Sequence, residues 1–222
     1  MIVQPYGGLC NRLRVVLSYR AAYGKIDVVW RPDGEICEAR WLDVFEPLKG
    51  VGVVEHDPRA KRTLDVCPDS PSGWQQGYRD LCLVDVVMRE FLRTRPRAGY
   101  GAMHVRRTDH VIDARALGNE TPDTEFLAWL ATAPDRVYLA TDNGTTQLQY
   151  VRAIREADRE CLSYNWIPEH VRQDEGGVRN TTLAHAAIDL FICAGASSFK
   201  GTRESSFSDA VTMLHDLGGW WS

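Results

Sequence analysis

His104-Val105-Arg106-Arg107-Thr108-Asp109 follows the apolar run Ala98 to Met103. Two further stretches share that form: Val137-Tyr138-Leu139-Ala140-Thr141-Asp142-Asn143, and Gly201-Thr202-Arg203-Glu204-Ser205-Ser206-Phe207-Ser208. Each reads as a buried strand that ends in polar groups. In an open α/β sheet, ligands bind at the carboxyl ends of the strands. Arginines at the first end, carboxylates at the second and hydroxyls before a helix at the third are groups suited to a diphosphate.

Working outward, strand and helix patterns alternate through the second half. Strands are expected at 99–107, 136–141, 160–164 and 197–201, and helices at 122–133, 145–157, 181–194 and 206–217. Such alternation predicts a parallel sheet covered on both faces. Pro122 suits a first helical turn. Phe207, Val211 and Leu214 share one face of the last helix.

In the first half, Met1 to Pro5 reads as a strand. Gly7-Gly8 makes the turn, and Asn11 is placed to cap a helix bearing Leu13, Val16, Leu17 and Ala21. Asp27 to Trp30 and Val51 to Glu55 read as strands and Leu81 to Leu92 as a helix. Residues 56–80, broken by prolines and glycines, read as the least structured region, and Arg93 to Arg97 as a linker. The expectation is an α/β chain of two small Rossmann-like domains, 1–96 and 97–222, with a cleft between them.

The bulk properties narrow the function. The chain has 222 residues, 44% of them hydrophobic and 25% charged, which is ordinary for a globular protein. A net charge of −4 gives no reason to expect nucleic acid or a membrane surface. No apolar run approaches the ~20 residues that span a bilayer, and no secretion signal is evident. Cys10, Cys37, Cys67, Cys82, Cys161 and Cys193 are scattered, so reduced thiols in a cytoplasmic protein are expected and a zinc site is not.

Along a strand, side chains alternate faces, so His104 and Arg106 share one face and Arg107 and Asp109 the other. The first pair could meet a ligand; the second could form an internal ion pair. Four solvated loop residues would look the same. Asp142 or Asn143 can cap the next helix and nothing more. Ser205-Ser206 precedes an amphipathic helix whose free N–H groups attract an anion, although Ser206 can be a cap with Asp209 completing a capping box. Asp189 lies in an apolar helical run, where a carboxylate needs a partner. A salt bridge or the N–H groups of a base such as guanine would serve. Gly7-Gly8-Leu9-Cys10-Asn11-Arg12 lacks the third glycine of the dinucleotide fingerprint and the Walker lysine. There is no strict Asp-x-Asp, which argues against a metal holding a diphosphate.

The ordered set resembles the α1,6-fucosyltransferase group. That group includes the core fucosyltransferase of N-glycans, the nodulation fucosyltransferase and, more distantly, the protein O-fucosyltransferases. The resemblance runs over residues 98–214, and the opening Gly7 to Arg12 is similar to the group's glycine-rich segment. It implies a GT-B fold and an inverting, metal-independent transfer of fucose from GDP-fucose to a glycan acceptor, with no cofactor. It implies that Arg106 binds the β-phosphate, Ser205 and Ser206 the phosphates with Phe207 beside them, and His104 and Asp189 the guanine side. Asp142 would support the site, with Gly8 and Asn11 reaching the donor from the other domain. The core enzyme's lysine and glutamate after the motif are His110 and Ala114 here, so the general base falls to Asp113, His110 or Asp109. A donor other than GDP-fucose, and a catalytically silent nucleotide-binding protein, are the alternatives.

Overall fold

The computed structural model describes residues 1–34, 36–97, 99–107, 118–164 and 181–218. The chain divides into two compact units. One comprises Met1–Glu90 with Thr182–Ala187, the other Phe91–Thr181 with Ile188–Ser222. Each unit contains a four-stranded sheet paired in parallel throughout. No described helix is long and apolar enough to cross a membrane.

The first unit runs β1 (Ile2–Pro5), α1 (Leu9–Tyr23), β2 (Ile26–Val29), β3 (Val51–Val54), β4 (Lys61–Thr63) and the start of α2 (Asp85–Thr94), which passes into the second unit at Phe91, with sheet order β3-β2-β1-β4. Val3, Leu13, Val16, Leu17 and Val28 are fully buried, and α1 packs beside β1 and β2. Gly7 at φ +79° turns the chain from β1 into α1. The helix begins at Leu9 with Gly8 in the cap position. Asn11 is therefore a residue of its first turn and not its cap. Residues 56–80 carry more structure than their composition suggests. They hold β4 on the sheet's edge and a 3-10 helix at Trp74–Asp80.

The second unit runs β5 (Gly101–Val105), α3 (Asp123–Leu130), β6 (Arg136–Thr141), α4 (Gly144–Glu156), β7 (Glu160–Leu162), α5 (Leu183–Ala194, of which Leu183–Ala187 belongs to the first unit), β8 (Ser198–Lys200) and α6 (Ser206–Asp216). Its sheet order is β7-β6-β5-β8. Met103, Val105, Val137 and Leu139 project from the sheet into a core with Phe126, Leu130, Tyr150 and Ile154. Full burial of a side chain such as Phe126 contributes about 1.5–3 kcal/mol. The helical pattern placed every described helix of this unit, with small shifts at the ends. Pro122 precedes α3 as its cap residue instead of lying in its first turn. β5 stops at Val105, so Arg106 and Arg107 lie just past the strand.

Candidate functional site

The central strands β6 and β5 and the edge strand β8 run parallel, so their carboxyl ends lie along one edge of the second sheet. That edge receives His104-Val105-Arg106-Arg107, Thr141-Asp142-Asn143 and the turn from Gly201 to Ser205. The first turn of α6 packs against it. An alanine Cβ at Gly201 would lie 2.6 Å from Ser208 Cβ and 2.7 Å from its Oγ. Only glycine lets β8 end so close to the helix.

His104 is buried, with its Nδ1 2.9 Å from Ser208 Oγ. Its ring lies against that of Phe207, tilted by 31° with 4.3 Å between centroids. These contacts tie the end of β5 to α6. Thr202 adds a second tie. Its hydroxyl donates to the His104 carbonyl at 2.9 Å and accepts the Arg106 N–H at 3.0 Å.

The two arginines diverge, as alternation suggests. Arg106 Nε lies 3.8 Å from Asp142 Oδ2, with both side chains largely buried. Arg107 turns the other way, donating to Asp123 Oδ1 at 2.7 Å and to the Thr121 carbonyl at 2.8 Å. Asp123 also accepts from Tyr150 at 2.6 Å and Gln149 at 2.9 Å. Burial would raise the Asp123 pKa, but these hydrogen bonds, that of Arg107 foremost, hold it below the ordinary value. The described partner of Arg107 is thus Asp123. Asp109, expected in that place, lies outside the described residues, as do His110, Asp113 and Ala114.

Ser205, not Ser206, occupies the cap position of α6, and its hydroxyl makes no cap hydrogen bond. Ser205 is fully buried, and among the described residues its Oγ has no hydrogen-bond partner. A buried hydroxyl left unpaired costs free energy. Here it sits where a helix presents free N–H groups and the positive end of its dipole. Ser206 is the first helical residue and half-buried. Asn143 caps α4 by accepting the Thr146 N–H at 2.9 Å, leaving Asp142 to face Arg106.

Asp189 is not ion-paired among the described residues. Its Oδ1 accepts the Tyr138 hydroxyl at 2.5 Å. Burial pushes its carboxyl up to about 7, against the lowering effect of that hydrogen bond. In the first unit, Gly8 is buried and Asn11 half-buried at the start of α1. Arg12, noted in the sequence only as part of a string, has a buried guanidinium. It donates to Gly7 O at 2.7 Å, Arg31 O at 2.9 Å and Asp33 Oδ2 at 3.0 Å, fixing the turn after β1. Among the described residues, no group of three or more His, Cys, Asp or Glu side chains is placed to hold a metal ion.

No protein-family model matches the chain, and no curated protein does. Solved structures do match. Fucosyltransferase NodZ from Bradyrhizobium superposes over 95% of this chain and 91% of its own, at 15% identity and a TM-score of 0.61. POFUT1 in complex with GDP superposes over 97% of this chain and 94% of its own, at 12% identity and a TM-score of 0.60. NodZ soaked with GDP-fucose gives 96%, 91%, 15% and 0.60 for the same quantities. The fold is GT-B-like. At such identities the likeness is one of fold, and it runs through both units.

Proposed function

We propose that this chain is an inverting glycosyltransferase that moves fucose from GDP-fucose to a hydroxyl of a glycan. The observation that carries the reading is the meeting of Arg106, the unpartnered buried hydroxyl of Ser205 and the N-terminus of α6 at one sheet edge. A diphosphate offers oxygens to all three. The guanidinium gives it paired hydrogen bonds, the helix gives it N–H groups, and Ser205 gains the partner it lacks. Asp142 orients Arg106, and Phe207 orients His104.

In this reading residues 97–222 bind the donor together with Gly8 and Asn11, and the rest of residues 1–96 serves the acceptor side. His104 and Asp189 take the guanine, whose N–H groups suit a carboxylate acceptor. The acceptor oxygen attacks the anomeric carbon from the face opposite GDP. As that C–O bond forms, the bond from the anomeric carbon to the β-phosphate oxygen breaks, and its electron pair leaves on GDP. Arg106, Ser205, Ser206 and the α6 dipole stabilise the charge that develops there, in the role a divalent metal fills in other transferases. The acceptor's proton passes to Asp113, His110 or Asp109, or to solvent in a transfer with little base assistance.

Donor hydrolysis and transfer, measured over a panel of nucleotide sugars, test the reading. Turnover of GDP-fucose above the others supports it. Turnover of a different donor reassigns the sugar, and binding without turnover of any donor makes the chain a nucleotide-binding protein.

A further inference from the structure

We infer that Thr202 is a positioning residue that sets Arg106 and the N-terminus of α6 at a fixed separation for the diphosphate. The inference rests on the nucleotide-sugar reading above and adds a residue to it.

The register carries the argument. β5 and β8 pair as Gly101 with Ser198, Ala102 with Phe199 and Met103 with Lys200. Continued by two steps, the ladder would place Thr202 opposite Val105. In a parallel ladder the residue opposite Val105 donates its backbone N–H to the carbonyl of residue 104. Its backbone carbonyl accepts the N–H of residue 106. Strand β8 has ended at Lys200, yet both bonds are present. The Thr202 hydroxyl makes them in place of the backbone, at 2.9 Å to His104 O and 3.0 Å from Arg106 N. One hydroxyl can do this because it carries one proton to donate and lone pairs to accept.

The substitution has a geometric consequence. Thr202 is buried, and its backbone is released from the sheet edge while its side chain stays bonded to it. The chain is free to turn through Arg203 and Glu204, which sits at φ +55°, and to enter α6 at Ser205. The same hydroxyl therefore fixes the backbone at Arg106 and the start of the turn that delivers Ser205. Gly201 and the His104–Ser208 contact hold the other side of that turn. The two anion-binding groups are registered to each other through one oxygen atom.

The test compares wild type with Thr202→Val, which keeps the shape and loses the hydroxyl, and Thr202→Ser, which keeps the hydroxyl. Affinities for GDP and for guanosine are measured by calorimetry. Both bonds are internal to the protein, so their loss reaches GDP affinity only by misplacing Arg106 and Ser205. Thr202→Val should bind GDP about tenfold or more weakly while guanosine binding stays within about twofold, and Thr202→Ser should match wild type on both. If GDP and guanosine weaken equally, or if Thr202→Val binds GDP as wild type does, the assignment is overturned and the nucleotide reading stands. If wild type binds no GDP, the nucleotide reading falls and this inference with it. Should Thr202→Val not fold, Thr202→Cys takes its place, its thiol being a weak donor and acceptor. An intermediate, GDP-selective loss is then expected, and a wild-type ratio of GDP to guanosine affinity overturns the assignment.

Discussion

The Tyr138 hydroxyl donates a hydrogen bond to Asp189. The Tyr164 N–H donates to the Tyr138 oxygen at 3.1 Å, so the phenolic proton is free to point at Asp189 Oδ1, 2.5 Å away. Asp189 thus has one oxygen held by a neutral donor, in a site whose burial raises its carboxyl to about 7. The native chain holds a proton there that the unfolded chain, at its ordinary value of 3.8, releases much earlier.

The sign of the pH dependence follows. The proton uptake favours the native state fully below about pH 4, and this contribution is lost as pH rises from about 4 to about 7. Asp189→Asn cannot ionise, and its amide oxygen can still accept from Tyr138. The stability of the variant relative to wild type should therefore increase across that range, by at most about 4 kcal/mol at about 1.36 kcal/mol per pH unit. Denaturant unfolding at a series of pH values checks it. Parallel curves for the two proteins would show that Asp189 does not titrate there.

Arg106→Ala and Arg107→Ala should fail in different ways. Arg107 is buried against Asp123, Thr121 and the Phe126 ring, so its loss should cost about 1–3 kcal/mol of stability. Asp123 is partly exposed, which keeps the figure below that of a fully buried pair. Arg106→Ala should abolish transfer with a smaller loss of stability. Thermal unfolding beside donor turnover separates the two. Equal loss of activity at normal stability in both variants would contradict the divergence of the side chains.

Much of this arrangement is legible in the sequence, because burial leaves a pattern. The central strands β5 and β6 of the second unit are apolar runs, and its described helices repeat apolar residues at helical spacing. Lys61–Thr63 is different. It is a three-residue edge strand with exposed Lys61 and Arg62, and neither apolar content nor alternation marks it. Partners distant in sequence are hidden for another reason. Arg107 pairs with Asp123, sixteen positions on, across a contact that only tertiary packing creates. Thr202 and Ser208 act through single hydroxyls, and a serine or threonine in a polar stretch has no spacing to distinguish it. Asn11 lies three residues past the cap of α1 and Ser206 one past that of α6, because the chain around glycine or serine can begin a helix at several neighbouring residues.

GDP should raise the melting temperature more than UDP or ADP does, and EDTA should leave the shift in place. The basis is the unpartnered Ser205 hydroxyl and Arg106 at the sheet edge, with Asp189 as the acceptor proposed for a base. A ligand at about 100 times its Kd stabilises by about 2.7 kcal/mol, well within reach of a thermal-shift assay. A larger shift with UDP would reassign the base, and a shift that requires magnesium would remove Arg106 and α6 from the role proposed for them.

Gly201→Ala gives a prediction in which two effects of opposite sign compete. The glycine does not lie at positive φ, so alanine is acceptable to the backbone. On that ground alone alanine should stabilise the chain by about 0.4–1 kcal/mol, by restricting the unfolded state. The added Cβ, however, meets Ser208 Cβ at 2.6 Å, Ser208 Oγ at 2.7 Å and Phe199 Cε1 at 2.9 Å. Ser208 Cβ is anchored to the α6 backbone, so relief requires the helix to move away from β8. That motion would break the His104–Ser208 hydrogen bond and displace Ser205. Overpacking of this kind costs about 1–3 kcal/mol, so the net effect should be destabilising. Adding Ser208→Gly removes two of the three clashes at about 1 kcal/mol of helix propensity. The double variant should therefore be less destabilised than the sum of the single ones, with a coupling of about 0.5–3 kcal/mol. A neutral or stabilised Gly201→Ala chain, or strict additivity, would mean that β8 and α6 are not in the close contact that fixes the N-terminus of the helix.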